Sequence, residues 1–106
     1  MIRVLVRITI AEGRRQVCLN LIRRYFAKPS AEVGCLEYEA TVDVPAALED
    51  CLPADLNVVT FVEKWTGLDA YLAYVKSLQG RISNSIARQL VQGIDIQLLA
   101  IHEPPP

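Results

Sequence analysis

The sequence predicts an α+β domain in which helices cover one face of a four-stranded antiparallel sheet. Four stretches alternate apolar and polar residues, as half-buried strands do, and the stretches between them repeat apolar residues at helical spacing. The predicted elements follow in the order β-α-β-β-α(α)-β, in which the second and third strands form a hairpin. This order is typical of a split βαβ unit.

The first predicted strand begins at the second residue. Every other position from Ile2 to Ile10 is apolar, and Leu5 is apolar at the opposite parity, so both faces of this strand are expected to be partly covered. After a turn at residues 11–13, helical spacing gives two apolar rows. These rows are Val17, Leu21 and Tyr25, and Cys18, Ile22 and Phe26.

The next two predicted strands form a long hairpin. Residues 34–43 form the second strand, which a glycine opens, and residues 58–65 form a β-branched and aromatic third strand. The connection at residues 45–55 holds two prolines and is predicted to be a loop.

Helical periodicity returns after the third strand. Thr66 and Asp69 fit a capping box, and a helix is predicted from Leu68. Gln79-Gly80 is expected to end that helix, before a short helix over residues 82–90 that Gly93 closes. Residues 94–101 alternate again and complete the sheet. The whole arrangement resembles the ferredoxin-like fold.

Size and composition predict a single domain that pairs with a second copy. The chain has 106 residues, of which 1–103 form the predicted domain and 104–106 a proline tail. It is 52% hydrophobic, with a mean hydropathy of +0.25. This apolar excess predicts a homodimer that packs through the sheet face left free by the helices. A net charge of −1 disfavours a nucleic-acid partner.

The cysteines and the N-terminus indicate where the chain functions. Cys18, Cys35 and Cys51 lie far apart without flanking histidines, which predicts neither a disulfide framework nor a metal site. No signal peptide and no apolar run of about 18 residues is evident. We therefore expect a cytoplasmic protein that does not enter a membrane.

The candidate site is an aromatic cluster at the junction of the third strand and the following helix. Four of the seven aromatic residues of the chain fall within residues 61–74, namely Phe61, Trp65, Tyr71 and Tyr74. An indole where a strand meets a helix is well placed to line a pocket between the two layers. The alternative is that Trp65 is simply a core residue, because its large area favours burial.

Three short motifs give the chain a resemblance to a known family. They are Gly34-Cys35-x-x-Tyr38 at the second strand, Glu63-x-Trp65 at the end of the third, and Leu68-x-Ala70-Tyr71-x-Ala73-Tyr74 in the helix. The chain thereby resembles the antibiotic biosynthesis monooxygenase superfamily, in particular its quinol monooxygenases. The resemblance implies a dimeric α+β barrel that oxidises a small dihydroxy-aromatic substrate with O₂, without metal, flavin or other cofactor.

The resemblance also implies roles for individual residues. Phe61 and Trp65, with Tyr71 and Val6, would form the substrate-binding wall, and Tyr74 would hydrogen-bond the substrate oxygen. Glu63 is the candidate base, although an ion pair with Lys64 is an equally open reading of that carboxylate.

One departure from the superfamily bears on haem. Its haem-degrading branch carries a histidine nine residues after the tryptophan and an asparagine on the first strand. Tyr74 and Val6 occupy those positions here, so no haem ligand is expected. The competing function is that of a dimeric small-molecule-binding or regulatory module without catalytic turnover.

Overall fold

The structure is a computed structural model that describes residues 1–25 and 28–103. Its elements are β1 (Ile2–Ile10), α1 (Arg15–Tyr25), a 3₁₀ turn (Ala31–Val33), β2 (Cys35–Val42), β3 (Val58–Trp65), α2 (Leu68–Lys76), α3 (Leu78–Leu90) and β4 (Val91–Ala100). The predicted order and the α+β class are confirmed. The predicted core position Phe26 and the proline tail at residues 104–106 lie outside the described residues.

The four strands form one antiparallel sheet in the order β2-β3-β1-β4, the arrangement of a ferredoxin-like fold. Val4 of β1 lies opposite Glu63 of β3 and Leu98 of β4. Because side chains alternate along a strand, these three residues point to the same face of the sheet. That face is the one the helices cover.

The core beneath the helices consists of two clusters of buried side chains. Under α1, Cys18 and Ile22 pack on the sheet together with Ile8, Ile10, Val59 and Phe61. Under α2, Tyr71 packs on Val4, Cys35 and Trp65. Of the two predicted apolar rows, Cys18 and Ile22 therefore face the sheet, whereas Val17 of the other row is exposed.

The connections around α2 and α3 differ from the sequence prediction. Gly67, not Thr66, is the N-cap residue of α2, and no side chain caps this end. α3 begins directly after Ser77, whose hydroxyl accepts a hydrogen bond from the Gly80 amide at 3.1 Å. Gly80 thus lies in the first turn of α3 and does not break it, and Gly93 lies within β4. Because Ser77 caps α3 directly at the end of α2, α3 starts before Gly80, where the sequence predicted a break between helices.

Gly80 allows α2 and α3 to approach each other closely. A Cβ atom at this position would lie 2.1 Å from the carbonyl oxygen of Tyr74, at the C-terminal end of α2. Because the obstructing atom belongs to the backbone, a side chain could be accommodated only by moving one helix. Gly80 therefore fixes how Tyr74 sits relative to α3.

The face of the sheet opposite the helices is mixed in character. It carries Leu5, Val62 and Leu99 among charged residues that include Arg3 and Glu37, which form an ion pair. Residues 43–57 connect β2 and β3 without regular structure, as predicted for this loop. In the described part of the chain no helix is both long and apolar enough to cross a membrane.

Gly34 should be one of the least replaceable residues of the fold. Its φ of +99° is unfavourable for other residues, and an added Cβ would lie 2.7 Å from Thr66 Oγ1 and 2.8 Å from the Ala70 Cβ. Gly13 is a matched control, because its φ of +79° is similar while no atom lies within 4 Å of an added Cβ.

We therefore predict that Gly34→Ala lowers the free energy of unfolding by about 2 kcal/mol more than Gly13→Ala, which should lose only about 1 kcal/mol. Urea denaturation of both variants measures the difference. Equal losses would show that the packing of Gly34 against α2 contributes nothing.

Candidate active site

A cavity of about 270 Å³ lies between the sheet and the pair of helices α2 and α3. Most of its wall is aliphatic or aromatic, with a few polar groups from β3, α2 and α3. The lining residues are Val6, Ile8, Tyr38, Phe61, Glu63, Tyr71, Tyr74, Val75, Gly80, Ser83, Asn84, Arg88, Ile94 and Ile96. A mostly apolar cavity with a few convergent polar groups is the usual form of a small-molecule site.

The cavity brings together most of the residues predicted from sequence. Val6, Phe61, Glu63, Tyr71 and Tyr74 all line it. They come from β1, β3 and α2, and the sheet register together with the packing of α2 places them around one space.

Trp65 takes a different position, behind the cavity wall. It is fully buried and is not among the lining residues. Its ring lies edge-on to Tyr71, with centroids 5.4 Å apart, and 5.3 Å from the ring of Tyr74. The indole therefore supports the two tyrosines from behind, and its direct contact with a substrate stays a prediction.

The Trp65 indole also holds the carboxyl group of Glu63. These residues are two apart in β3, so their side chains point to the same face of the sheet. Trp65 Nε1 donates a hydrogen bond of 2.9 Å to Glu63 Oε1, and Glu63 is only 5% exposed. Lys64 points to the opposite face. Among the described residues the ion pair found is Arg3 with Glu37, so the alternative pairing of Glu63 with Lys64 is not formed.

Burial changes the acidity of Glu63. It raises the pKa of the carboxyl to about 7, and the hydrogen bond from Trp65 opposes this shift only in part. A carboxyl group that titrates near neutrality inside an apolar cavity can accept a proton at physiological pH and return it later. Glu63 is therefore equipped to act as a base.

Two tyrosines near Glu63 stay protonated. Burial, aided by the nearby Glu63 charge, raises the pKa of Tyr71 to about 12 and also raises the pKa of Tyr38 above its usual value. Both hydroxyl groups are therefore hydrogen-bond donors at neutral pH. The cavity therefore has one hydrogen-bond acceptor that can ionise, the Glu63 carboxyl, and two hydroxyl donors that stay protonated.

Sequence analysis did not identify Tyr38 and the α3 residues as part of the site. Tyr38 lies opposite Glu63 in the sheet, and its ring centroid is 5.4 Å from that of Phe61. The long β2–β3 loop left this register undetermined. Asn84 and Arg88 of α3 are exposed, and both also line the cavity. Their spacing of four residues after Gly80 is the signal that could have found them.

None of the three cysteines is among the residues that line the cavity. Cys18 and Cys35 are buried free thiols and Cys51 is an exposed one. Within residues 1–25 and 28–103 no group of three or more His, Cys, Asp or Glu side chains is arranged to hold a metal ion.

The chain belongs to the antibiotic biosynthesis monooxygenase family, whose sequence profile matches residues 1–79. This confirms the resemblance drawn from the short motifs. The matched region contains β1 to α2 and ends at the start of α3, so Asn84 and Arg88 lie beyond it. No curated protein matches the chain.

Solved structures support the fold over nearly the full length. PA3566 from Pseudomonas aeruginosa is 20% identical with a TM-score of 0.70, over 96% of this chain and 94% of that one. Rv0793 from Mycobacterium tuberculosis is 16% identical with a TM-score of 0.72, over 99% and 98%. An antibiotic biosynthesis monooxygenase is 19% identical with a TM-score of 0.67, over 99% and 100%. At these identities the likeness concerns the fold alone.

The raised pKa of Glu63 makes a prediction about stability. The unfolded carboxyl loses its proton near pH 4.5, whereas the folded one keeps it up to about pH 7. Between these values the folded state binds more protons, so rising pH lowers stability. Relative to Glu63→Gln, the wild type should lose on the order of 3 kcal/mol of unfolding free energy between pH 4.5 and pH 8.

Denaturant unfolding of the two proteins across this pH range makes the measurement. Glutamine can still accept the hydrogen bond from Trp65, so the comparison isolates the charge. A constant difference between the two proteins at all pH values would contradict the raised pKa.

Proposed function

We propose that the protein is a cofactor-independent monooxygenase that oxidises a small dihydroxy-aromatic compound with O₂. The observation that carries this proposal is the buried Glu63 carboxyl, with a pKa of about 7, on the wall of an apolar cavity. Membership of the monooxygenase family supports an oxidation as the reaction type. The quinol-type substrate is what the resemblance to quinol monooxygenases implies, and the apolar cavity with its buried carboxyl supports it.

The cavity suits a small aromatic molecule. Its volume of about 270 Å³ is just below the range of about 300–1,000 Å³ that is usual for ligand pockets, so it suits a molecule of one or two rings. Phe61, Tyr71 and Val6 offer apolar and aromatic surface against which a flat ring can stack. Tyr74 presents a hydroxyl at the same wall, where it can hydrogen-bond a substrate oxygen.

In this proposal Glu63 begins the reaction by removing a proton from a substrate hydroxyl. The resulting phenolate is a far stronger electron donor than the neutral phenol, and it passes one electron to O₂. The apolar wall would limit the access of bulk water to the phenolate, and the Tyr71 and Tyr74 hydroxyls would orient its oxygen.

The remaining steps balance without a further reductant. The substrate radical and superoxide combine to form a peroxide on a ring carbon, and Glu63 returns its proton to the peroxide. The O–O bond then breaks as the ring carbon loses its hydrogen, which leaves a carbonyl on the ring and releases one water. One oxygen atom thus enters the product and the other leaves as water, while the substrate supplies all four electrons that reduce O₂.

Oxygen uptake by metal-free and flavin-free protein on a panel of quinols tests this function. Uptake should increase about tenfold per pH unit up to about pH 7 and then level off, because the carboxylate form of Glu63 is required. Glu63→Gln should lose this pH dependence along with most of the rate.

Tyr74→Phe should lower turnover by the contribution of one hydrogen bond to a charged group, about 1–3 kcal/mol or about five- to hundredfold. Lys76→Gln, exposed at the end of the same helix, is the control and should leave turnover unchanged. No uptake above the autoxidation blank with any quinol would instead favour a binding or regulatory module without turnover.

We further propose that two copies pack through the free sheet face. Leu5, Val62 and Leu99 give that face its apolar area, and a stable dimer would bury more than about 1,000 Å² there. Leu99→Asp should therefore produce monomers, as measured by light scattering at micromolar concentration. Leu72→Asp on α2 changes a residue of equal exposure, 40% in both cases, and should leave the dimer intact. A wild-type protein that is monomeric would contradict the proposal.

A further inference from the structure

The cavity has polar groups at two opposite ends. Along β3, Glu63, Phe61 and Val59 succeed each other on the helix-covered face, and Val59 shares its row with Ile8 and Ile94 through the sheet pairing. Each step of two residues along a strand spans roughly 6.6 Å, so the Glu63 row and the Ile94 row are about 13 Å apart. Both rows contribute to the cavity wall.

α3 runs along the same cavity. Gly80, Asn84 and Arg88 follow at intervals of four residues, which places them on one side of the helix over about 12 Å. The cavity is therefore lined along two turns of α3, from a glycine at one end to an arginine at the other.

The orientation of α3 follows from its contacts and connections. Gly80 is in contact with the backbone of Tyr74, whose ring packs on Trp65 next to Glu63. At the other end, Arg88 lies three residues before the start of β4, whose Ile94 lines the cavity. Glu63 and Arg88 thus mark opposite ends of the cavity.

Arg88 is the single cationic side chain among the described lining residues of this mostly apolar wall. Neither Arg88 nor Asn84 forms a side-chain hydrogen bond or an ion pair with a described residue, so their donor groups are available. A planar guanidinium with an amide one turn away suits a carboxylate, which accepts hydrogen bonds in the same plane.

We propose that Arg88 and Asn84 form an anion subsite, and that the substrate is an aromatic hydroxy compound with a carboxylate or similar anionic group at the end opposite its reacting hydroxyl. This inference rests on the proposed function for the reaction at Glu63. It names the substrate class of that site. The Glu63 carboxylate repels a second anion, so only the orientation with the anion at Arg88 brings the hydroxyl to the base.

Binding under argon tests the subsite without requiring turnover. The probe is 6-hydroxy-2-naphthoate, which carries its two groups at opposite ends of a flat ring system, and its methyl ester is the uncharged comparison. Calorimetric titration should show that wild-type protein binds the acid about tenfold more tightly than the ester. The preference should shrink as salt is added, because Arg88 is exposed to solvent.

Arg88→Gln should abolish the preference by weakening the acid and leaving the ester unchanged. Arg81→Gln removes the same charge from an exposed position on the same helix outside the cavity wall, and it should keep the preference. Equal affinity of the wild type for acid and ester would overturn the inference, as would an Arg88→Gln protein that still prefers the acid.

The binding assay separates this inference from the proposed reaction. Charge-dependent binding lost in Arg88→Gln supports the anion subsite even if no quinol is oxidised, in which case only the monooxygenase proposal fails. Oxidation of neutral quinols without any preference for the acid leaves the reaction in place and overturns the subsite.

Discussion

The hydrogen bond from the Trp65 indole to the buried Glu63 carboxyl is the interaction on which the rest of the site depends. A carboxyl in an apolar wall is costly unless it is hydrogen-bonded or neutral, and here both conditions are partly met. Trp65 in turn packs on Tyr71 and Tyr74, so one indole holds the Glu63 carboxyl and two hydroxyl-bearing side chains. Trp65 thus contributes to the site by positioning these side chains and by donating a hydrogen bond to the carboxyl.

The fold makes this arrangement possible by leaving space between its layers. The sheet contributes the Glu63 carboxyl and part of the aromatic wall, while α2 contributes Tyr71 and Tyr74 and α3 closes the remaining side. Gly80 sets the distance between the two helices, since no side chain fits between it and the Tyr74 carbonyl. The geometry of the cavity thus follows from backbone contacts as much as from its lining side chains.

Local patterns in the sequence were enough to predict the strands and the element order, and together with the family resemblance they gave five of the fourteen residues of the cavity wall. The alternation in β1 and the aromatic run in β3 are short-range patterns, and such patterns can be seen in the sequence without the structure. The burial of Glu63 was not predicted, because the adjacent Lys64 left a surface ion pair open. Strand alternation places the two residues on opposite faces of the sheet, and Glu63 lies on the face that the helices cover. Tyr38 and Arg88 reach the cavity through a hairpin register and a helix orientation, and both are set by tertiary packing.

The protonation of Glu63 in the folded protein is the central claim, and it can be observed directly. Carbon NMR of protein labelled at its glutamate carboxyl carbons, recorded across pH for the wild type and Glu63→Gln, identifies the one signal that the variant lacks. We expect that signal to titrate with a midpoint near pH 7. A Glu63 signal that titrates near pH 4.5 would contradict the account.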